Sequence, residues 1–557
     1  MSTFQEDRLN LDASLLTLWQ AKLEGAVKIE DIAQRIHFST KQTKRKLLNW
    51  SEEGWLTFTS GRGRGHLSEL IWLKSVEEQY EQQLLDLMKK NEMEKVSKYL
   101  LFDWSTETKQ RIINAFQLKF GFQHHNDDCL IIPKYYSIFT TNPLHAADIH
   151  SANIAANLFN RVVALQEDGT ILPELAYFWE YTTSSLTLYL RKDVLFHDGS
   201  VLVAEDVVDS FLRMKQDKHF STLWEPITHI YSPAPLMVTL EFPKGCTYAL
   251  QLISVMNASI FKIVNGKLFG TGGFLLSENT DEKTVLTAFT RYFEVRPLLD
   301  RVEFIKVPRD FEILYHSAND PKPLSTSKIE SDSGFGVIVM NPYRDNSDMA
   351  RKEIREYIHA IIAKHRNEVP SGRKRSTGNH DGCLIGYSKG IVPPQIHKPS
   401  MNRPILLKYA RHTQDTSIWL KQLLEQYGFM VEFEYISFEH MVNATEELHN
   451  ADLFIHGEVF ELNQSFSYFY FLRNSFSPLY PFTCHDPVIQ EQLSLYNQTA
   501  FTDWLPIHLA IERYLQEESL CIPLYYEKRQ IPFSVNMMNI QTKYFGYVDL
   551  TKLWIRD

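Results

Sequence analysis

Apolar residues near the N-terminus recur at helical spacing and predict two short helices in succession. Spacings of three and four residues place these side chains on one face of each helix. Gly25 interrupts the pattern and separates the first helix from the second. The apolar positions are Leu15, Leu18, Trp19 and Leu23 in the first helix and Ile29, Ile32, Ala33 and Ile36 in the second.

A third helix follows, and Ser39 or Thr40 is placed to cap its N-terminus. Leu48 falls among its basic residues, which suggests that the end of the helix packs beneath the next segment. The two faces of the helix are otherwise distinct, with Thr43, Leu47 and Trp50 on one and Lys41, Lys44 and Arg45 on the other.

The segment after the third helix is typical of a β-hairpin with a glycine- and arginine-rich tip. Gly54 ends the helix, "WLTFTS" predicts a strand, "GRGRG" a turn and "HLSELIWL" the returning strand. Three helices and a hairpin in this order predict a mainly-α winged helix-turn-helix. In that fold the third helix enters the major groove of double-stranded DNA and the wing contacts the neighbouring backbone or minor groove.

Two other interpretations apply to parts of this segment, a phosphate-binding loop and a solvated helix face. A Walker-type phosphate loop needs G-x-x-x-x-G-K-[ST] between a strand and a helix, whereas this repeat lies between two strands and lacks the Lys-Ser/Thr pair. The run "KQTKRK", taken alone, fits a solvated helix face equally well. Together with the basic hairpin tip, the pattern favours operator DNA as the partner, because polar side chains contact base edges and cations contact phosphates. The predicted DNA-binding residues are Ser39, Thr40, Lys41, Gln42, Thr43, Lys44, Arg45, Arg62, Arg64 and His66.

Residues 75–119 predict charged helices, the last of them capped at Ser105. They form either a dimer contact, which would make the protein a homodimer, or a solvent-facing connector between domains. Both alternatives stay open.

Charge and cysteine usage narrow the class of protein. The 557-residue chain carries a net charge of −10, yet residues 1–74 hold 11 Lys/Arg against 9 Asp/Glu. This asymmetry indicates that one small segment meets a polyanion.

The five cysteines are scattered, with no CxxC pair, which predicts free thiols and neither a metal nor another cofactor. The sequence shows no export signal and no apolar run of membrane-spanning length, so we expect a cytoplasmic protein without a membrane partner.

Beyond residue 120 the pattern changes to strands that alternate with helices. "LTLYLRKDVLFH" predicts a strand, Asp198-Gly199 a turn and "AEDVVDSFLRM" an amphipathic helix. His197, Asp198, Glu205 and Asp206 could suggest a metal site or an acid/base pair. The stronger interpretation is a turn residue and helix N-terminal acids, and we expect no enzyme activity.

This region resembles the family 5 extracellular solute-binding proteins of the oligopeptide-binding type. The resemblance rests on "PELAYFW", "LRKDVLFHDG" and "AEDVVDS", and continues in "GTGGFLL", "RPLLDRVEF" and "IPLYY". Val203 and Gly273 depart from the family pattern, which has Thr and Pro at those places. The resemblance covers residues 120–557 and implies a two-lobed α/β, periplasmic-binding-protein-like (type II) domain with a hinge.

A winged helix joined to such a domain is similar to the SgrR-type transcriptional regulators. The resemblance implies three parts: a DNA-binding domain at 1–74, a helical connector at 75–119 and a solute-binding domain at 120–557. It also implies a ligand-responsive regulator, in which a small molecule closes the two lobes and thereby changes DNA binding. A transporter-associated protein that scavenges peptides or sugars is the alternative function.

The resemblance further implies where the ligand binds. Glu461 falls near the acidic residue that faces the amino terminus of the peptide in peptide-binding relatives. The ligand is expected to be a sugar, a sugar phosphate or a small peptide. The predicted ligand-binding residues are Ser137, Phe139, Asn142, Asn153, Asn157, Phe460, Glu461 and Asn463.

Overall fold

The computed structural model describes residues 11–61, 67–124, 127–308, 326–370, 380–391, 397–444, 450–461, 463–474, 476–534, 537–543 and 547–556, without the side chains of 326–333, 528–534, 542–543 and 547. Its helices are α1 Ala13–Gln20, α2 Ile29–Ile36, α3 Thr40–Glu52, α4 Val76–Lys89, α5 Met93–Tyr99, α6 Thr106–Gln117, α7 Ile149–Leu158, α8 Ala204–Gln216, α9 Ala249–Leu252, α10 Lys352–His365, α11 Gln414–Gln426, α12 Phe438–Asn443, α13 Gln464–Arg473, α14 Tyr480–His485, α15 Pro487–Leu495 and α16 Leu505–Glu517.

The strands are β1 Gly25–Val27, β2 Leu56–Thr59, β3 Ser68–Trp72, β4 Gly121–His124, β5 Asp128–Lys134, β6 Val163–Leu165, β7 Ile171–Pro173, β8 Ala176–Tyr181, β9 Ser185–Leu190, β10 His229–Ala234, β11 Met237–Glu241, β12 Lys262–Val264, β13 Lys267–Phe269, β14 Phe274–Asn279, β15 Lys283–Ala288, β16 Arg301–Lys306, β17 Thr326–Met340, β18 Ile405–Tyr409, β19 Val431–Tyr435, β20 Leu453–Val459, β21 Cys521–Ser534, β22 Met537–Met538, β23 Thr542–Lys543, β24 Tyr547–Val548 and β25 Trp554–Ile555.

The N-terminal region has the order of a winged helix-turn-helix, with one strand more than the pattern predicts. Helices α1, α2 and α3 precede the antiparallel pair β2–β3, as expected. The short strand β1 pairs with β3 and makes the sheet three-stranded, in the order β1-β3-β2. The expectation for Leu48 is wrong, because its side chain is 45% exposed on α3.

The connector is broken into separate helices. Asn91 adopts a left-handed backbone conformation (φ 57°) between α4 and α5, which ends α4 without a glycine or proline. Helix α6 begins after Ser105, whose hydroxyl accepts from the backbone N–H of Thr108, as the capping prediction requires.

The chain divides into two compact units, and the division does not follow the predicted boundaries at residues 74 and 119. Unit 1 contains 1–137, 278–285 and 301–323. The reason is a shared apolar core, because side chains of the winged helix, the connector and the strands β5 and β16 pack together. This core includes Leu47, Leu84, Val96, Phe116, Ile131 and Ile305.

Within unit 1, β4, β5 and β16 are neighbours in one sheet. Strand β5 runs parallel to β16 and antiparallel to β4, and the sheet order is β14-β15-β16-β5-β4. Ser97 of α5 donates its hydroxyl to the carbonyl of Lys306, at the end of β16. The connector is therefore packed on the first strands of the α/β domain.

Unit 2 holds the rest of the α/β domain, residues 138–277, 286–300 and 324–557. It contains the antiparallel sheet β10-β11-β9-β8 and the mixed sheet β19-β18-β20-β17-β21. The acidic groups of the Asp198 segment have the local roles predicted for them. Asp198 accepts from the backbone N–H of Ser200 (2.9 Å), and Asp206 accepts from that of Val203 (2.9 Å) at the start of α8.

Candidate functional site

Helix α3 is held by its N-terminus and by one apolar face. Ser39 and Gln42 form a capping box, in which the Ser39 hydroxyl accepts from the Gln42 backbone and the Gln42 side chain accepts from the Ser39 backbone. Leu47 and Trp50 are buried in the core of unit 1. The opposite face of α3 is consequently fixed in position while remaining exposed.

The predicted DNA-binding residues divide into three groups. Thr40, Lys41, Lys44 and Arg45 are exposed together on α3, and Ser39 and Gln42 are exposed but hold the cap. Thr43 is a correction: it is fully buried (0% exposed), so DNA cannot reach it without unpacking the helix. Arg62, Arg64 and His66 lie outside the described residues.

Lys46, which is absent from the predicted DNA-binding residues, positions the helix. Its Nζ lies 2.8 Å from Asp12 Oδ2 and 5.3 Å from the Trp50 ring centre. Burial alone would raise the pKa of Asp12, but the hydrogen bond and charge of Lys46 outweigh it and the pKa is lowered. Lys46 therefore fastens α3 to the start of α1, and its position four residues before Trp50 was the available signal.

The predicted ligand-binding residues of the first part of the α/β domain have structural partners. Ser137 belongs to unit 1, where its hydroxyl donates to the carbonyl of Asp281 (3.0 Å). The others belong to unit 2. Phe139 packs edge-on against Phe438, Asn142 caps the turn at Pro143–His145, and buried Asn157 donates to the carbonyl of Asn153 (2.8 Å).

Glu461 and Asn463, both predicted to bind the ligand, line the same small cavity in unit 2. Leu165, Ser254, Val255, Phe466 and Ser467 also line it. The cavity has room for about one water molecule. Phe460 is buried against Phe335 instead of lining this cavity.

Glu461 is held among backbone groups and buried side chains. The backbone N–H of Met256 donates to Glu461 Oε1, and the Asn463 amide donates to the carbonyl of Glu167 (2.9 Å). Burial raises the pKa of Glu461 to about 7, while the Met256 hydrogen bond and the charge of Arg161 act in the opposite direction. This carboxyl group therefore changes charge near neutral pH.

The arginines closest in sequence to the predicted ligand residues, Arg161 and Arg473, are engaged by acids. Arg161 Nη2 lies 3.2 Å from Glu174 Oε2, with both side chains buried, and Arg473 Nη2 lies 3.3 Å from Glu225 Oε2. A ligand anion at the Glu461 cavity would have to compete with these acids.

The aromatic helix that follows the predicted ligand residues Glu461 and Asn463 is largely core. Helix α13 buries residues on every side, among them Phe466, Tyr468, Phe469 and Phe471. Composition could not distinguish this outcome, since a ligand pocket and a core use the same aromatic side chains.

Comparison with known proteins finds one family model that matches the N-terminal region and another that matches part of the α/β domain. The family model described as "Sugar transport-related sRNA regulator N-term" matches residues 13–123, and "Bacterial extracellular solute-binding proteins, family 5 Middle" matches residues 170–312. Residues 13–123 are thus similar to the N-terminal domain of such regulators, and residues 170–312 are similar to the middle part of the family 5 solute-binding proteins. The resemblance to SgrR-type regulators is thereby confirmed.

Relatives with this organisation match along nearly the whole chain. Proteins named HTH-type transcriptional regulator SgrR, from Photorhabdus laumondii and from Yersinia pestis, are each 21% identical to it, with 98% of both chains covered.

Solved structures confirm the periplasmic-binding-protein-like fold. The DppA periplasmic binding protein of Helicobacter pylori, in complex with the peptide STSA, has a TM-score of 0.64 at 15% identity, and the match covers 77% of this chain and 98% of that one. The murein tripeptide binding protein MppA of Escherichia coli has a TM-score of 0.62 at 14% identity, covering 77% and 99%. Among the described residues, no helix is both long enough and apolar enough to cross a membrane.

Proposed function

We propose that this protein is a cytoplasmic, ligand-responsive transcriptional regulator. The carrying observation is the exposed face of α3, where Thr40, Lys41, Lys44 and Arg45 lie together on a helix fixed by its cap and core. Relatives that match the whole chain are named as transcriptional regulators of the helix-turn-helix type, which supports the proposal.

In this proposal α3 contacts operator DNA through the major groove. Lys41, Lys44 and Arg45 bind phosphates and set the register, and Thr40 is placed to reach a base edge. The cap restricts Ser39 and Gln42, because their side chains already bond to backbone groups. Arg62, Arg64 and His66 remain proposed contacts of the wing.

The solute-binding domain supplies the signal. We infer a ligand that is a sugar or a small peptide in preference to a sugar phosphate, since Arg161 and Arg473 are paired with acids. The Glu461 cavity holds about one water, so ligand entry there requires the lobes to separate and close again by hinge motion. If closure changes the DNA-binding affinity, DNA must change the ligand affinity by the same factor.

DNA binding by the full-length protein tests the proposal. A duplex selected by the protein from a random pool is titrated at several salt concentrations, with fluorescence anisotropy as the readout. Lys44→Ala combined with Arg45→Ala should weaken binding by at least about tenfold and lower the salt slope by about 2. Lys90→Ala, which removes an exposed lysine of the connector, is the matched control. Equal affinity of the double variant and the control would overturn the assignment of α3.

A further inference from the structure

A second and larger cavity lies in unit 1, where the connector meets the strands of the α/β domain. Its volume is about 430 Å³. Asn91, in the turn between α4 and α5, contributes from the connector. The remaining lining comes from the sheet side: Gln123, Asp127, Cys129, Ile131, Arg301 and Glu303.

Strand register explains why these side chains meet. Cys129 lies beside Arg301 on the parallel strands β5 and β16, and it pairs with Gln123 on the antiparallel strand β4. Alternate residues of a strand share a face, so Glu303 and Ile131 follow on the same side. Further along that face Ile305 enters the apolar core. The face therefore changes from apolar to polar where the cavity begins.

The charges around the cavity are balanced. Arg301 Nε lies 3.0 Å from Glu303 Oε1, and its Nη1 lies 3.5 Å from Asp127 Oδ2. The second oxygen of Glu303 is 3.1 Å from Lys283 Nζ, and Glu303 is only 8% exposed. Burial raises the pKa of Cys129 to about 11, so its thiol is neutral. A ligand ion of either sign would add an uncompensated charge to this arrangement, which is costly in a partly buried site.

The lining combines hydrogen-bonding groups with a comparable amount of apolar surface. The Gln123 amide already donates to the carbonyl of Lys119, and Arg301 and Glu303 are engaged in the ion pairs described above. The Asn91 amide can donate, and the side-chain oxygens of Asn91, Gln123 and Asp127 can accept. A hydroxyl group both donates and accepts, so several hydroxyls on one small molecule match this set. The volume lies in the range of small-molecule sites, about 300–1,000 Å³.

We propose that this cavity binds a neutral polyhydroxylated small molecule, such as a sugar of one or two rings, independently of the Glu461 cavity. Such a ligand would contact the connector turn at Asn91 and the strands β4, β5 and β16 at once. Because it would bind only the packed arrangement, it would stabilise the connector on the sheet by mass action.

Calorimetric titration of the full-length protein with glucose and with trehalose tests the proposal. The wild type is expected to bind at least one of these probes with a dissociation constant below about 10 mM. Asn91→Gly keeps the left-handed turn but removes the amide, and Gln123→Ala removes the second amide. Each should weaken binding by about tenfold, the value of one lost hydrogen bond. Gln110→Ala, on the exposed face of α6, is the matched control.

Further arms separate this site from the proposed function. Sugar binding that is lost in Glu461→Gln but kept in Gln123→Ala would place the sugar in unit 2 and overturn the inference. Absence of heat with both sugars up to about 10 mM, or binding only of glucose 6-phosphate, would also overturn it. Hydrogen exchange gives an independent readout, since bound sugar should slow exchange around Asn91 and β4 without requiring any variant to fold. The result of the DNA-binding experiment does not change how any of these sugar-binding outcomes is interpreted.

Discussion

Helices α3 and α13 both begin at a capped N-terminus, yet they differ in what covers them. Helix α3 buries a single face and leaves its basic residues in solvent. Helix α13, capped by Asn463, buries side chains all round, next to the Glu461 cavity. The difference teaches that the proposed DNA contact is preformed, whereas a ligand contact at Glu461 has to be opened first.

The largest loss of stability is expected from a substitution in the core that surrounds α13. Phe469 is 1% exposed, and its ring centre lies 4.9 Å from that of Trp504 and 4.7 Å from that of Tyr496. Phe469→Ala should lower the free energy of unfolding by about 3–5 kcal/mol, measured by denaturant titration. Phe178→Ala, at a 53% exposed position of unit 2, should change it by less than about 0.5 kcal/mol. Similar small effects at both positions would mean that α13 is a pocket wall and not core.

Ionisation of Glu461 should have the next largest effect on the free energy of unfolding. Its folded-state pKa of about 7 lies above the ordinary 4.5, so the protonated acid favours the folded state. This contribution is complete below pH 4.5 and is lost as the pH rises through 7, by up to about 3 kcal/mol. In denaturant titrations across this pH range, Glu461→Gln should flatten the dependence, while exposed Glu439→Gln should leave it as in the wild type. An unchanged slope in Glu461→Gln would show that another group carries it.

A moderate loss of stability is expected when Asp12, which accepts hydrogen bonds from α3, is replaced. Asp12 accepts from Lys46, from the Trp50 indole (3.1 Å) and from the backbone of Ser14 (2.9 Å). Asp12→Ala should lower the free energy of unfolding by about 1–2 kcal/mol. Its lowered pKa means that the wild-type contribution persists above pH 3.8 and disappears as the pH falls through the folded-state pKa. Asp31→Ala, in the exposed first turn of α2, is the control, and equal losses in both variants would remove Asp12 from this role.

The smallest stability effect should come from the exposed face of α3. Leu48→Ala is expected to change the free energy of unfolding by less than about 0.5 kcal/mol, whereas buried Leu47→Ala should cost about 2–5 kcal/mol. Weaker binding of a selected duplex by Leu48→Ala would add an apolar base contact to this face. A large loss of stability in Leu48→Ala would contradict the orientation of the helix.

The elements that follow from local signals were predictable from the sequence. Helical spacing, the Ser39 cap and Gly54 were enough for α1 to α3 and the hairpin. Strand β1 was not predictable, because its pairing with β3 joins residues more than forty positions apart and its three residues show no alternation. The break at Asn91 was not predicted, since asparagine ends a helix in this way less often than glycine does.

The candidate site was predictable in part, for a similar reason. Glu461 and Asn463 share a cavity because both lie just before the N-terminus of α13, so their proximity follows from their closeness in the sequence. The spacing of Thr43 placed it on the apolar face of α3, whereas its hydroxyl placed it among the predicted DNA-binding residues. The packing of the helix shows that it is buried. The cavity at Arg301 depends on the register of β16 against β5, two strands far apart in the chain, which no spacing in the sequence reveals.

The shared core of unit 1 also sets an order for biosynthesis. Leu47 of α3 and Leu84 of α4 are made early, but Ile305 and Val307, which complete the same core, are made more than two hundred residues later. At about 5–20 residues per second, the ribosome needs about 10–50 s to synthesise the intervening residues. During that interval the nascent winged helix and connector lack their last packing partners, so chaperones have a defined window in which to hold them.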